Sequence, residues 1–561
     1  MSGWEHAAQQ KRQELLDLIP DKWKIDESKK PTITSPPDTT IRIVREHLDD
    51  REKEITESTA LSILEHTLSG QWKARDVAEA FCHRAALAHQ LISCLHEIFF
   101  DAAIKDAEAA DEHFTATGEP VGPLHGLPIS LKDQFHVKGV ETTMGYVGWM
   151  GTFQGEKGTG KDKVYESELV RELRELGATL YCKTSCPHTL MCGETINNII
   201  GYTPNPRDLR LAVGGSSGGE GGLIALKGSP LGFGTDIGGS VRIPAAFNGL
   251  WGLKPSTGRL PYHGAANSMD GQTGILSAVG PIASSLGDIR LAMKALLMTE
   301  PWFHDPGVVP MPWKDHIRAE VLSSEKLVFG ILSSDGLVNP LPPMQRAFVI
   351  VGQALQRAGH EIVDWKPPSH EALIANVSKH YKSDGGCDVH KAFALSGEPV
   401  AAQVRTFVGA QAGPPHTASE LMAYNVETRA LRHEYAAYWN GTAASTSTGR
   451  PVDAFLACVA PFPAAPRNTY TSYSYSIPIN CLDYSACVIP VTTADKQLDV
   501  VEEGYTPLNE TDAQTWAAYD PELFDGHPVC LQLVGRRLQE ERVLALAEVV
   551  EAALAAASQG V

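Results

Sequence analysis

The stretch Gly214–Arg242, GGSSGGEGGLIALKGSPLGFGTDIGGSVR, constrains this chain more than any other. Two glycine-flanked serine clusters, Ser216-Ser217 and Ser240, stand 24 positions apart (240 − 216), joined by a short apolar run and by Thr235-Asp236. Glycine on both sides of a serine lets backbone come close to a ligand and lets N–H groups converge on a developing negative charge. A loop that merely connects two elements needs no such density of glycine. A serine nucleophile also requires a base, a route for its proton and donors where the oxyanion forms. Ser240 sits in Gly-Gly-Ser-Val-Arg, not in a G-x-S-x-G elbow, and no sequence pattern ties a His and Asp pair to it. That directs the search for a base to lysine, which serves only when desolvation or neighbouring positive charge leaves it neutral.

Around this stretch, apolar periodicity predicts strands alternating with helices, and hence an α/β protein. Helices are predicted over about 59–68, 74–90, 101–115, 166–176, 286–298, 343–358 and 539–556, and strands over 127–132, 178–183, 327–332, 360–365, 454–460, 486–493 and 529–535. Residues 249–264 read as glycine- and proline-punctuated backbone, and 368–450 as mainly helical and polar. In 127–132, Leu127, Ile129 and Leu131 point one way and Ser130 and Lys132 the other. On this stretch alone, Lys132 reads as a solvated strand-end lysine. At the N-terminus a helix over 3–19, capped by Ser2 and stopped by Pro20, precedes a proline-rich connector (27–40) and a solvated run of charge (46–54). The chain thus divides into an N-terminal helix and extended arm (1–58) and a single domain (59–561). Within the domain, 122–300 holds the serine stretch and 326–561 a second α/β portion.

Several function classes are disfavoured. The net charge of −19, without basic runs, argues against nucleic acid, whose phosphates demand a lysine and arginine surface. No uninterrupted apolar stretch reaches 18 residues, so no membrane span is expected. Ten scattered cysteines read as free thiols, and MSGWEHAAQQKRQELL lacks the apolar core of a signal peptide; both suit a cytoplasmic protein. Gly155-x4-Gly160-Lys161 imitates a phosphate-binding loop but continues with Asp162 where Ser or Thr would hold magnesium, so 155–163 reads as a flexible, charged surface loop. Cys182, Cys186, His188 and Cys192 fit no zinc spacing and read as buried core, with no metal.

The run GGSSGGEGGLIALKGSPLGFGTDIGGSVRIPAAF, with GLPISLKD upstream, closely resembles the amidase signature family of serine hydrolases. The resemblance continues through LMCGETINNIIGYTPNPR, GRLPYHGAANSMDGQ and PVCLQLVGRRLQEERVLALAE, covers nearly the whole chain and looks like the family's fungal acetamidase branch. It implies a large mixed central β-sheet covered by helices on both sides, with an N-terminal helical layer. It implies that Ser240 is the nucleophile, Ser216, after a cis peptide bond, the bridging serine, and Lys132 the terminal base, which reverses the surface reading of that lysine. Ser217 matches a neighbour that hydrogen-bonds the lysine; backbone N–H groups of Ile237, Gly238, Gly239 and Ser240 would form the oxyanion hole; Asp236 and Arg242 would hold the loop.

The implied reaction takes a neutral carboxamide to carboxylate and ammonia or amine through an acyl-enzyme, with no cofactor. Its partner is a small-molecule amide, and a homodimer is open to the chain. A small aliphatic amide such as acetamide is the first choice and an aryl or fatty amide, such as indoleacetamide, the second. A transamidating amidotransferase subunit is a further class that shares the signature. Leu190, Met191 and Cys192 match a segment that lines the acyl pocket in relatives such as fatty acid amide hydrolase, although burial as ordinary core explains them equally. The long GEKGTGKDKVYES departs from the shorter acidic loop of the family and bears on substrate size only if it lies near the pocket.

Overall fold

The computed structural model describes residues 3–470, 472–501 and 504–559. Among them, short apolar runs form thirteen strands: β1 (Leu95–Ile98), β2 (Pro128–Lys132), β3 (Thr179–Thr184), β4 (Ile196–Asn197), β5 (Gly201–Tyr202), β6 (Leu231–Asp236), β7 (Trp251–Lys254), β8 (Ala278–Ala283), β9 (Val328–Ile331), β10 (Glu361–Asp364), β11 (Ala454–Cys458), β12 (Ala486–Thr493) and β13 (Pro528–Val534). Eleven of them join one mixed sheet in the order β1-β3-β2-β6-β8-β7-β12-β13-β11-β9-β10, while β4 and β5 pair separately. β2 runs parallel to β3 and β6, and β9 parallel to β10 and β11; the other pairings in the sheet are antiparallel. Both portions of the chain feed this sheet, meeting where β7 pairs with β12. The architecture is the large, mixed, helix-covered sheet that the sequence implied.

Four of the sheet strands, β1, β6, β7 and β8, escape the periodicity reading. Their sequences, LHEI, LGFGTD, WGLK and AVGPIA, are short or interrupted by glycine and proline, which lowers strand propensity. Every residue of all four is buried, so packing on both faces overrides that local preference. Gly234 in β6 shows the reason for one interruption: a Cβ there would stand 2.3 Å from Ser217 Oγ. The glycine is what lets the helix Gly218–Ala225 come down onto the strand.

The expected extended arm is largely helical instead. Helices Thr39–Glu46 and Asp50–Glu57 occupy it, the first burying Ile43 and Val44. The second opens with a capping box in which Asp49 accepts from the Glu52 N–H (2.8 Å) and Glu52 accepts from the Asp49 N–H (2.9 Å). Reading 46–54 as bulk charge concealed this cap. The first helix runs Gly3–Asp17, and Ser2, expected as its cap, lies outside the described residues.

The register sets the position of the site. Leu131 of β2 lies opposite Phe233 of β6, so the carboxyl ends of these parallel neighbours, at Lys132 and Asp236, emerge together. Open α/β sheets collect ligands at such strand ends. The helix Gly218–Ala225 packs on β2, β3, β6 and β8 and brings Ser216-Ser217 to the same edge, while the helix Arg242–Phe247 crosses β7, β12 and β13. Among the described residues no helix is long and apolar enough to cross a membrane.

Candidate active site

Lys132 ends a strand in which all five residues are buried, and it has no exposure to solvent, which corrects the surface reading drawn from its own stretch. Its Nζ donates to Ser216 Oγ (2.8 Å) and to Thr235 Oγ1 (2.9 Å). Burial lowers its pKa to about 8, against the opposing pull of Cys186, Asp236 and Glu220. Glu220 in turn is pushed up to about 7 by burial, although Ser130 and Thr184 hydroxyls donate to it. The peptide bond from Gly215 to Ser216 is cis.

Residues 237–240 lie between β6 and the helix Arg242–Phe247, and all four of their carbonyls are occupied. Tyr381 Oη donates to Ile237 O (2.5 Å), Ser476 Oγ to Gly238 O (2.7 Å), Ile243 N to Gly239 O (2.7 Å) and Ser217 N to Ser240 O (3.0 Å). The N–H groups of Ile237, Gly238 and Ser240 have no acceptor among the described residues, whereas that of Gly239 donates to Asp236 Oδ1 (2.8 Å). Three of the four expected oxyanion donors are therefore free, and Gly239 serves instead to tie the loop to Asp236. Gly239 has φ +121°, and a Cβ there would lie 2.7 Å from the Ser476 Cβ, so only glycine fits.

Asp236 and Arg242 form a fully buried ion pair at 3.0 Å. Burial opposes ionisation of Asp236, yet the Arg242 guanidinium, Lys254 and the Asn480 amide hold its carboxyl well below the usual range. Arg242 also donates to Gln532 Oε1 (2.8 Å), Asn480 Oδ1 (2.6 Å) and Ser476 O (3.1 Å).

The structure gives two sets of expected residues different surroundings. Ser217, expected at the lysine, has its Oγ against the main chain of Thr235 at 3.4 Å, because the helix it precedes packs on β6 there; the hydroxyl that joins Ser216 beside Lys132 is that of Thr235. Of Leu190, Met191 and Cys192, only Met191 reaches a cavity. Thr189 and Leu190 both have positive φ (69° and 63°), making a tight turn that sends Met191 outward and leaves Leu190 and Cys192 packed in an apolar cluster. Cys182 and Cys186 are likewise buried free thiols, and among the described residues no group of three or more His, Cys, Asp or Glu side chains could hold a metal.

Two cavities approach residues 237–240. One, of about 1040 Å³, is mostly apolar and includes Leu337, Ile374, Tyr381, Phe407, Tyr473 and Ile477 in its wall. A Cβ on Gly238 would meet Ile477 at 3.4 Å and Tyr381 at 3.6 Å. The second, of about 520 Å³, is walled by Met191, Ile237, Tyr262, Asn267 and Tyr381 among others. Lys161 also lines it and lies over the rings of Phe153 (5.3 Å) and Tyr165 (5.8 Å), so the charged surface loop 155–163 gives one residue to the cavity wall. Thr235, Gln134, Tyr381, Ser476, Asn480 and Gln532 carry no sequence signal of their own; only Thr235 and Gln134 sit close enough to the serine and lysine motifs to have drawn notice.

Comparison with known proteins gives the family and the fold. Residues 76–544 match the family model described as Amidase. An acetamidase of Aspergillus oryzae is 42% identical over 562 residues, covering 98% of each chain, and an acetamidase of Emericella nidulans is 42% identical over 553 residues with the same coverage. Among solved structures, a fatty acid amide hydrolase superposes with a TM-score of 0.87 at 32% identity, over 98% of this chain and 94% of that one.

Replacing Arg242 by Leu leaves a buried carboxylate without its cation, which costs on the order of 3–5 kcal/mol. The variant is expected to unfold at a distinctly lower urea concentration than the parent; an unchanged midpoint would show that the pair does not hold the loop.

Proposed function

Because the chain belongs to the amidase family and hydrolyses amides at their carbon–nitrogen bond, we propose that Lys132, Ser216 and Ser240 perform that reaction. The observation that carries this reading is the 2.8 Å contact between the buried Lys132 amine and Ser216 Oγ at the strand ends where the 237–240 loop begins. Neutral Lys132 takes a proton from Ser216 as Ser216 takes the proton of Ser240, and Ser240 Oγ attacks the amide carbon. The oxyanion is met by the N–H groups of Ile237, Gly238 and Ser240. Collapse returns the proton along the same path to the departing nitrogen, and water then releases the carboxylate from the acyl-enzyme. Ser216 Oγ and Ser240 Oγ are not hydrogen-bonded in this structure; such contacts commonly tighten only when substrate is bound.

Ser240→Ala is expected to abolish both turnover and labelling by a fluorophosphonate; full activity in that variant would sink the mechanism.

The base works as the free amine, so kcat/KM is expected to be high above the Lys132 pKa of about 8 and to fall as pH drops through it. A profile that stays flat between pH 6 and 9 would exclude this lysine.

A small aliphatic amide such as acetamide is the preferred substrate on the strength of the 42% identity to two acetamidases. A larger aryl or fatty amide is favoured instead by the two cavities, whose 1040 and 520 Å³ far exceed what acetamide fills. The net charge of −19 speaks against an amidotransferase subunit working beside transfer RNA. A panel of amides of graded size, read out by ammonia or amine release, separates these readings: a kcat/KM that declines steadily with acyl length supports the first, and one that rises supports the second.

A further inference from the structure

We propose that Gln134 is a positioning residue for Lys132: acting through the Thr235 hydroxyl, it fixes the direction in which the amine presents its lone pair to Ser216. The inference rests on the reading of Lys132 as the base.

Gln134 is buried two residues beyond the end of β2, and its amide orientation follows from its neighbours. Its Nε2 donates to Tyr262 Oη (2.9 Å) and to Asn267 Oδ1 (3.0 Å). Tyr262 spends its own proton on Asn267 Oδ1 (2.8 Å), so toward Gln134 it can only accept. Asn267 in turn donates to Asp270 Oδ1 (3.0 Å), which fixes its oxygen toward Gln134 and Tyr262. The oxygen of Gln134 therefore faces Thr235, and an amide oxygen only accepts. Thr235 has one hydroxyl proton, and it goes to Gln134 Oε1 at 2.6 Å.

The consequence falls on the lysine. Thr235 Oγ1 is left with lone pairs alone toward Lys132 Nζ at 2.9 Å. As the ammonium, Lys132 donates to both hydroxyls; as the neutral amine it has two N–H groups and one lone pair, and with one N–H held by Thr235 its rotation is restricted, so that the lone pair can face Ser216 Oγ, 2.8 Å away. Were Gln134 unable to accept, the Thr235 hydroxyl could turn and donate to the amine, occupying the lone pair that Ser216 needs. The chain of hydrogen bonds starts at the wall of the 520 Å³ cavity, to which Tyr262, Asn267 and Asp270 all belong.

The charged and titratable groups facing these residues are few. Glu220 on the helix Gly218–Ala225, Asp236 at the end of β6 and Cys186 beyond β3 face Lys132. Asp133, next to Gln134, is paired with Lys183 of β3 at 2.6 Å and has His96 at 3.6 Å, and Asp270 lies beyond Asn267.

Two variants separate positioning from packing. Gln134→Met keeps the length and removes the acceptor; kcat is expected to fall more than about tenfold, with KM within about threefold. Gln134→Glu restores an acceptor and adds negative charge toward the lysine, which favours the ammonium form. It is expected to recover most of the kcat lost in Gln134→Met at high pH and to move the acid limb of kcat/KM upward by roughly one pH unit. A residue that only fills space would show no loss in the length-preserving Gln134→Met and so nothing for Gln134→Glu to recover; the moved limb reports that the side chain faces the lysine. The same shift is expected when Gln134→Glu is made in a Glu220→Gln background; its disappearance there would assign the limb to Glu220 and overturn the proposal. An unmoved limb in folded Gln134→Glu, or full kcat in Gln134→Met, would also overturn it, and if Gln134→Met fails to fold, Thr235→Val, which breaks the same chain, must show the loss of kcat instead. An active parent enzyme with an unmoved limb sinks this inference only, whereas a parent that hydrolyses no amide sinks the functional reading beneath it.

Discussion

The buried ion pair of Asp236 with Arg242 fixes which way residues 237–240 face. An isolated charge in such surroundings is costly, and pairing together with hydrogen bonds is what makes it tolerable. Asp236 spends one oxygen on the Gly239 N–H and the other on the Val241 N–H. With one amide bound inward and every carbonyl of the loop bound to a neighbour, the remaining amides have nowhere to turn. A row of oriented N–H dipoles results from satisfying a carboxylate. Donors fixed in advance pay no reorganisation when charge develops beside them, which is the condition for electrostatic stabilisation.

Much of the fold was legible because β2, β3, β9, β12 and β13 are apolar runs bounded by turn residues, and because the flanking helices carry strong periodicity. The strands that were not legible are those that glycine and proline disguise, and β6, the most important of them, runs through the middle of the serine motif. Its glycines read as loop chemistry, yet Gly234 is there for a packing reason. The residues proposed to react were legible through a resemblance, since nothing in PISLK by itself distinguishes a buried lysine from a surface one. Their supports were not. Ser476, Asn480 and Gln532 lie more than 230 residues from the loop they hold, and no local pattern reports such a contact.

Hydroxyl accounting explains where the expectation about Ser217 parts from the structure. Two adjacent serines and a threonine compete for one amine, and the descent of the helix Gly218–Ala225 onto β6 decides the order. Ser216 meets the amine, Ser217 meets the main chain of β6, and Thr235 takes the place left over. A sequence pattern preserves the serines but not their partners, because partners are assigned by how a helix settles on a strand.

Arg242 reaches β13 through Gln532 and the helix Ile477–Leu482 through Asn480. The serine motif is therefore not a portable cassette. A gene fragment ending before β9 would encode every residue proposed to react and none of the C-terminal residues that brace the 237–240 loop. Shuffling or grafting at the boundary between the two portions of the chain would separate the chemistry from its scaffold, although the sheet strands on either side look like natural places to cut.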